Sequence, residues 1–195
     1  MKLFKLFFII ILTLNLSSCH SSKYVVESDY SYNSDFRRYK NFTVINRIND
    51  GKDSSMYNLS IAREINDRMK IQGYKSVEKR PNLLIFYKIY NQDFNFQGFN
   101  QPQMEEFIKE NTNKEEEEKY NPQKYRLQQG SLLIQLIDSK NRSVVWQGYT
   151  SGLFSDSNTK NERIFRGAVR SIFDQYRAFA EGYILKANSV SEITK

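Results

Sequence analysis

The chemistry open to this chain is bounded by its single cysteine and its single histidine. Cys19 is the only cysteine and His20 the only histidine, so Cys19 has no intramolecular disulfide partner. A thiolate is the side-chain nucleophile best suited to alkylation. Cys19 is therefore the residue most clearly suited to covalent chemistry. A Ser-His-Asp or Cys-His catalytic arrangement in the rest of the chain lacks its histidine, and a zinc site lacks its ligands. Neither G-x-x-x-x-G-K nor G-x-G-x-x-G occurs, which removes the common phosphate loops.

The segment before Cys19 has the composition of an export signal. Lys2 and Lys5 form a basic start, and Leu6–Leu14 is an apolar run. A run of this length is too short to span a bilayer, which takes about 20 residues. We therefore expect residues 1–18 to be a cleaved signal peptide and not a permanent membrane helix.

Residues 16–19, with the sequence LSSC, resemble the lipobox of bacterial lipoproteins. The resemblance implies that diacylglycerol is attached to Cys19 through a thioether and that the chain is cleaved before Cys19. The new N terminus is then acylated, for example by palmitate, so membrane lipid is the expected partner of Cys19. His20 stands where an Asp would retain an enteric-type lipoprotein in the inner membrane, which favours the outer membrane, facing the periplasm. The alternative is an ordinary secreted protein with a chance cysteine near its cleavage site.

The length and charge of the chain limit its number of domains and the kinds of partner it can bind. The chain has 195 residues and a formal charge of +7, and removing residues 1–18 takes away two lysines, leaving +5. This length suits one domain with a real core. An exported chain rarely meets nucleic acid, so we expect no nucleic-acid partner and regard anionic lipid headgroups as the simpler explanation of the basic excess.

The stretch Gly130–Gly152 carries the clearest structural pattern. Two apolar segments, Leu132–Ile137 and Val144–Thr150, flank the polar turn 138–143 and predict a β-hairpin. Trp146, the only tryptophan, lies within the second strand, where we expect its ring to be buried.

Alternation along the first hairpin strand assigns its side chains to two faces. The two sets are Leu132, Ile134 and Leu136 on one face and Leu133, Gln135 and Ile137 on the other. Gln135 favours the second set as the exposed one. We therefore expect that face to be available for contacts with a partner.

The other elements complete a layered fold. Short apolar or alternating segments predict strands at 24–32, 42–45, 74–77 and 83–90, the last of them central in the sheet. A helix is predicted over Asn58–Gln72, and a capping box at 159–162 predicts a second helix whose apolar stripe continues to Leu185. The fold class expected is α+β, a two-layer sandwich of a twisted, mostly antiparallel sheet with two helices on one face.

Residues 97–129 interrupt this pattern. Pro102 allows a short helix with Met104, Phe107 and Ile108 on one side, and residues 105–119 contain seven Glu and three Lys. A cation site or an acidic docking loop is one interpretation. Because the spaced oxygens and sharp turn of a calcium loop are missing, we favour a solvated insertion between two strands.

Three blocks together resemble the lipoprotein family known as domain of unknown function 4136. They are Ser28-Asp29-Tyr30 with Asp35-Phe36, Tyr39-Lys40 and Phe42; Lys70-x-x-Gly73-Tyr74 with Pro81-Asn82-Leu83-Leu84; and 130–138, GSLLIQLID, with Val145-Trp146-x-Gly148. The match covers roughly residues 24–176, and it departs from the family at Asn82, where Asp is usual, and in the long insertion. The resemblance implies the same two-layer fold and no catalytic residues.

The expected organisation has four parts. Residues 1–18 are the signal peptide, 19–23 a lipidated tether, 24–186 a single domain with a charged insertion at 97–129, and 187–195 a flexible tail. We expect no enzymatic activity, no cofactor and no metal site. Pairs among the 22 Asp and Glu residues are the one remaining possibility for acid–base catalysis. The function expected is that of a lipid-anchored envelope protein acting through contacts with an unidentified envelope protein. The alternative is an accessory module that binds cell-wall polymer, lipid or another envelope ligand.

Overall fold

The domain contains eight strands and three α-helices among its described residues. The computed structural model describes residues 25–45, 56–101, 103–110, 121–153 and 162–180, so Cys19 and its leader lie outside the described residues. The strands are β1 Val25–Tyr30, β2 Asn41–Ile45, β3 Lys75–Ser76, β4 Leu83–Tyr90, β5 Phe94–Asn100, β6 Asn121–Leu127, β7 Ser131–Asp138 and β8 Val144–Ser151. The helices are α1 Met56–Ile71, α2 Met104–Glu110 and α3 Glu162–Phe173, and a short 3-10 helix spans Phe36–Arg38.

Six strands form one mixed sheet in the order β1-β8-β7-β4-β2-β3. β1, β8, β7 and β4 pair antiparallel, whereas β2 lies parallel to both β4 and β3. The predicted hairpin is confirmed as β7 and β8, and β4 lies between β7 and β2 as a central strand. The predicted α+β fold class is therefore confirmed.

The main core lies between this sheet and the helices α1 and α3. Leu132, Ile134 and Leu136 of β7 are fully buried on this face. The stripe of α1 and the stripe of α3 cover them, and the buried residues of the two stripes are Ile61, Ile65, Met69, Phe165, Ala168, Val169, Ile172 and Phe173. Trp146 is also fully buried, as expected, with its ring centroid 5.1 Å from that of Tyr176. No helix among the described residues is long and apolar enough to cross a bilayer.

The helix α3, predicted from the capping box at 159–162, is shorter than its apolar stripe predicts. α3 ends at Phe173, and residues 174–180 leave the helix while their alternate side chains, Tyr176, Ala178 and Ala180, stay buried. Gln72 holds this segment, since its side-chain amide donates to the Tyr176 carbonyl at 2.6 Å and its own carbonyl accepts the Ala180 N–H at 3.0 Å. The helical prediction is thus wrong for 174–180, because the apolar spacing there also fits a period of two. Residues 181–185 lie outside the described residues.

The insertion at 97–129 contains ordered elements, which corrects its interpretation as a solvated loop. β5 and β6 form a separate two-stranded sheet, and α2 follows β5. Leu127 and Met104 are each 4% exposed, and Phe107 packs its ring 4.8 Å from that of Tyr30. The expected helical side of Met104 does face the core, whereas the run of glutamates at 115–118 lies outside the described residues.

Candidate functional site

The sheet face opposite α1 and α3, the outer face, is where we expected contacts. Because the strands pair in register, its side chains form rows across the sheet. The middle row consists of Asp29, Gln147, Gln135, Phe86 and Ile45. The row on one side of it consists of Ile137, Leu84 and Thr43. The row on the other side consists of Glu27, Tyr149, Leu133 and Lys88.

The antiparallel strands β5 and β6 cover one half of the outer face. We call this strand pair the covering hairpin, although α2 lies between the two strands in sequence. Leu133 and Tyr149 are buried beneath it, at 6% and 2% exposure, together with Leu127 of β6. Phe96 of β5 lies over Tyr149 with ring centroids 4.9 Å apart. The expectation that Leu133 is exposed is therefore wrong, because the insertion supplies an apolar strand pair that covers it.

A polar row, Asp29, Gln147 and Gln135, connects the sheet to the covering hairpin. The Asp29 carboxylate accepts the Phe99 N–H at 3.1 Å and the Gln147 side-chain N–H at 3.3 Å. Gln147 in turn accepts a hydrogen bond from the Gln135 amide at 3.1 Å. Burial raises the pKa of Asp29, although the hydrogen bonds from Phe99 and Gln147 act in the opposite direction. A carboxylate that is 5% exposed and already holds two donors fixes the hairpin and is not accessible to a substrate.

Gly98 and Gln101 secure the same junction. A Cβ at position 98 would lie 2.6 Å from the Asp29 carboxylate, so only glycine allows β5 to approach Asp29 this closely. The Gln101 side chain accepts the Tyr30 N–H at 2.8 Å and donates to the Tyr30 carbonyl at 2.6 Å. Gln101 thus pairs with the edge of β1 as a neighbouring strand would.

The other half of the outer face is left without a covering element among the described residues. Four apolar side chains there, Ile45, Leu84, Phe86 and Ile137, are half-buried and form what we call the uncovered strip. Gln135 lies at its border and is also half-buried. Of the expected contact set, Ile137 therefore lies in the uncovered strip and Gln135 at its border, and both are half-buried where we expected exposure.

Cys19, the predicted lipid-attachment residue, lies outside the described residues, and β1 begins at Val25, six positions after it. Within the described ranges, no group of three His, Cys, Asp or Glu side chains is arranged to hold a metal ion. Sequence reasoning missed the polar row and its hairpin contacts. The one available signal was Gly98 between aromatic residues, which is typical of a strand that another chain segment approaches closely.

Comparison with known proteins identifies the fold. The family model of the domain of unknown function DUF4136 matches residues 26–176. A DUF4136 family protein from Bacteroides thetaiotaomicron has a similar crystal structure, with a TM-score of 0.56 and 17% identity over 82% of this chain and 99% of that chain. At that identity the likeness shows the fold alone.

Two further structures are more distant. The PelC dodecamer from Paraburkholderia phytofirmans has a TM-score of 0.45 and 9% identity over 78% of this chain and 96% of that chain. A PDZ domain protein from Parabacteroides distasonis has a TM-score of 0.42 and 19% identity over 82% of this chain and 37% of that chain. These two likenesses support no functional conclusion. No match is found among curated proteins.

Proposed function

The chain belongs to the DUF4136 family, and on that premise we propose that it is a lipid-anchored bacterial cell-envelope protein acting through contacts with another envelope protein. The observation that carries the anchoring part is the LSSC sequence at 16–19, directly after a short apolar run. Two or more acyl chains on Cys19 give stable anchoring, since each buried CH₂ contributes about 0.8 kcal/mol. Such a role needs an anchor and a surface, but no catalytic group or cofactor.

The position of β1 supports a short distance between anchor and domain. Val25 comes six positions after Cys19, a length of chain that extends at most about 20 Å. The domain would therefore stand close to the bilayer, with the first residue of β1 nearest the lipid. Position 20 carries His and not the Asp that retains enteric-type lipoproteins in the inner membrane, which favours the outer membrane with the domain in the periplasm.

The uncovered strip supports the contact part of the proposal. Ile45, Leu84, Phe86 and Ile137 lie side by side on three adjacent strands, each only half-buried. A partner that covered these four side chains would bury apolar surface without changing the fold. The centre of a protein–protein interface is usually apolar in this way. Gln135 and the exposed Lys88 border the strip and offer polar groups for its rim.

One experiment tests both parts. A photo-crosslinking amino acid replaces Phe86 in the strip or, as a matched control, Ile71, which is 60% exposed at the end of α1. In intact cells we expect a discrete protein adduct at position 86 and none at position 71. Cys19→Ala should leave an unprocessed or released chain and abolish the adduct.

Equal adducts at both positions would refute the contact surface. An intact mass with a free, unmodified Cys19 in the native host would refute the anchor. A membrane-bound, lipidated chain without any adduct at position 86 would retain the anchor and remove the strip from the proposal.

A further inference from the structure

A concentration of basic side chains lies at the end of the sheet where β2, β3 and β4 begin and β7 ends. Three segments meet there, 38–41, 75–82 and 138–143, and together we call them the basic end. They contain seven cations against Glu78 and Asp138, a net charge of +5. The cations are Arg38, Lys40, Lys75, Lys79, Arg80, Lys140 and Arg142.

Direct hydrogen bonds hold the three segments together. Asn82 connects all of them, because its side-chain oxygen accepts the Lys40 N–H at 3.0 Å and its carbonyl accepts the Ser139 N–H at 3.0 Å. The Lys75 N–H donates to the Lys40 carbonyl, also at 3.0 Å. The cations therefore belong to one rigid surface.

The carboxylate of Asp138 does not neutralise this surface. It is 3% exposed and accepts the Tyr39 hydroxyl at 3.0 Å and the N–H groups of Lys140 and Asn141 at 2.8 and 3.1 Å. It also pairs with Arg38. Five other cations are exposed and form no ion pair with a described residue; they are Lys75, Lys79, Arg80, Lys140 and Arg142.

The backbone adds an independent observation. Arg80 and Arg142 have φ values of 51° and 55°, and among the described residues they are the only non-glycine residues with positive φ. Glycine adopts this left-handed conformation without the steric cost that a Cβ adds. Two arginines at strained positions of one surface indicate a use for their guanidinium groups.

We propose that the basic end binds an anionic polysaccharide, a flexible carbohydrate polymer that bears carboxylate or phosphate groups. Guanidinium groups match both anions in planar, bidentate geometry, and cations on three segments fit a chain better than a small ligand. Tyr39, the aromatic residue of these segments, is 2% exposed, so they offer no ring on which nucleic-acid bases would stack.

The direction of β1 argues against the lipid of the anchoring membrane as the ligand. β1 starts at the opposite end of the sheet, and strands of eight residues such as β4 are about 26 Å long. In the anchored protein proposed above, the basic end therefore faces away from its own bilayer. This part of the inference rests on the proposed function.

The test uses the full mature chain in neutral detergent and measures binding to alginate, which carries carboxylates, to phosphomannan, which carries phosphates, and to neutral dextran. The variant Arg80→Gly/Arg142→Gly removes two cations and relieves the backbone at both positions. The matched control, Arg63→Gln/Lys124→Gln, removes two exposed cations outside the basic end. A second variant, Lys75→Gln/Lys79→Gln, tests the same surface without changing the strained positions.

We expect wild type to bind alginate, phosphomannan or both, and not dextran. Both basic-end variants should bind about tenfold more weakly, while the control keeps wild-type affinity. The slope of log affinity against log salt should fall by about two in each basic-end variant. The melting temperature of the glycine variant should equal or exceed that of wild type.

Binding of neither anionic polymer by wild type would overturn the proposal, as would equal affinities of the basic-end variants and the control. Tighter binding of a single-stranded oligothymidylate or of anionic phospholipid vesicles would assign the surface to nucleic acid or membrane instead. These measurements need no envelope partner, so their failure is distinct from a failure of the crosslinking experiment.

Discussion

The alanine variant of Gly148 tests how the core is packed against β8. Trp146 and Gly148 lie on the same face of this strand, opposite Leu136 and Ile134 of β7. The indole extends over the glycine, so a Cβ at position 148 would lie 2.5 Å from Cη2 of Trp146 and 2.6 Å from Cγ2 of Ile172. Real Cβ contacts are essentially never this short, so Gly148→Ala must displace the indole, α3 or both.

Neither neighbour can give way cheaply. Trp146 and Ile172 are fully buried, the indole is rigid, and a β-branched side chain in a helix has one strongly preferred rotamer. Overpacking of this kind costs about 1–3 kcal/mol, and two simultaneous clashes place the cost of Gly148→Ala at about 3 kcal/mol. That is a large share of the total stability of a typical domain, about 5–15 kcal/mol.

Urea unfolding followed by tryptophan fluorescence measures this loss, since Trp146 is the only tryptophan. The control is a double-mutant cycle with Trp146→Phe, followed by circular dichroism, because phenylalanine lacks the indole atom that the added Cβ would meet at 2.5 Å. In the Phe background the cost of Gly148→Ala should fall by at least about 1 kcal/mol. A variant within about 0.5 kcal/mol of wild type, or an equal loss in both backgrounds, would show that this contact is not the cause.

Two further predictions concern the helix layer and the covering hairpin. Burial alone would raise the pKa of Glu64, but hydrogen bonds from Arg170 at 2.6 Å and Arg166 at 3.1 Å outweigh it and hold this pKa below its usual range. Ionised Glu64 thus adds stability above its unfolded pKa of about 4.3, and the gain is lost as pH falls through the lower folded value. Glu64→Gln should lower the urea midpoint at pH 7 and leave it near wild type at the acid end, whereas an equal gap at both pH values would contradict the assignment. Leu127→Ala should lower the free energy of unfolding in urea by about 2 kcal/mol if the covering hairpin packs on the sheet. The control is Arg126→Ala, because the Arg126 side chain is 77% exposed. Its free energy of unfolding should stay within about 0.5 kcal/mol of wild type.

Local periodicity was sufficient for the elements whose partners are their neighbours in sequence. The β7–β8 hairpin follows from two alternating segments around a polar turn, and α1 follows from an apolar stripe that ends before Gly73. The burial of Trp146 follows from its place within the second hairpin strand. Each prediction needed only the residues of one element and its turn.

The remaining features depend on pairing between distant segments, which periodicity does not encode. Asp29 is one charged residue in an edge strand, and its partners Phe99 and Gln147 are 70 and 118 positions away. The acidic composition of 105–119 suggested a solvated loop, but the aromatic residues on either side of it form a strand pair. The end of α3 was missed because Tyr176 and Ala180 form hydrogen bonds with the distant residues Gln72 and Tyr74.

Most residues that carry the family resemblance form the framework of the domain, although Leu84 and Ile137 also belong to the uncovered strip, and Lys40 and Asn82 to the basic end. In the β1–β8 register, Tyr30 and Ser28 of the first block lie opposite Trp146 and Gly148 of the third. Tyr39 of the first block donates its hydroxyl hydrogen to Asp138 at 3.0 Å. These contacts join the first block to the third across the sheet, so the blocks help to specify the fold. Phe86 of the uncovered strip and Arg80 and Arg142 of the basic end lie outside the three blocks, so substitutions at these positions test the two surfaces without altering a residue of the family resemblance.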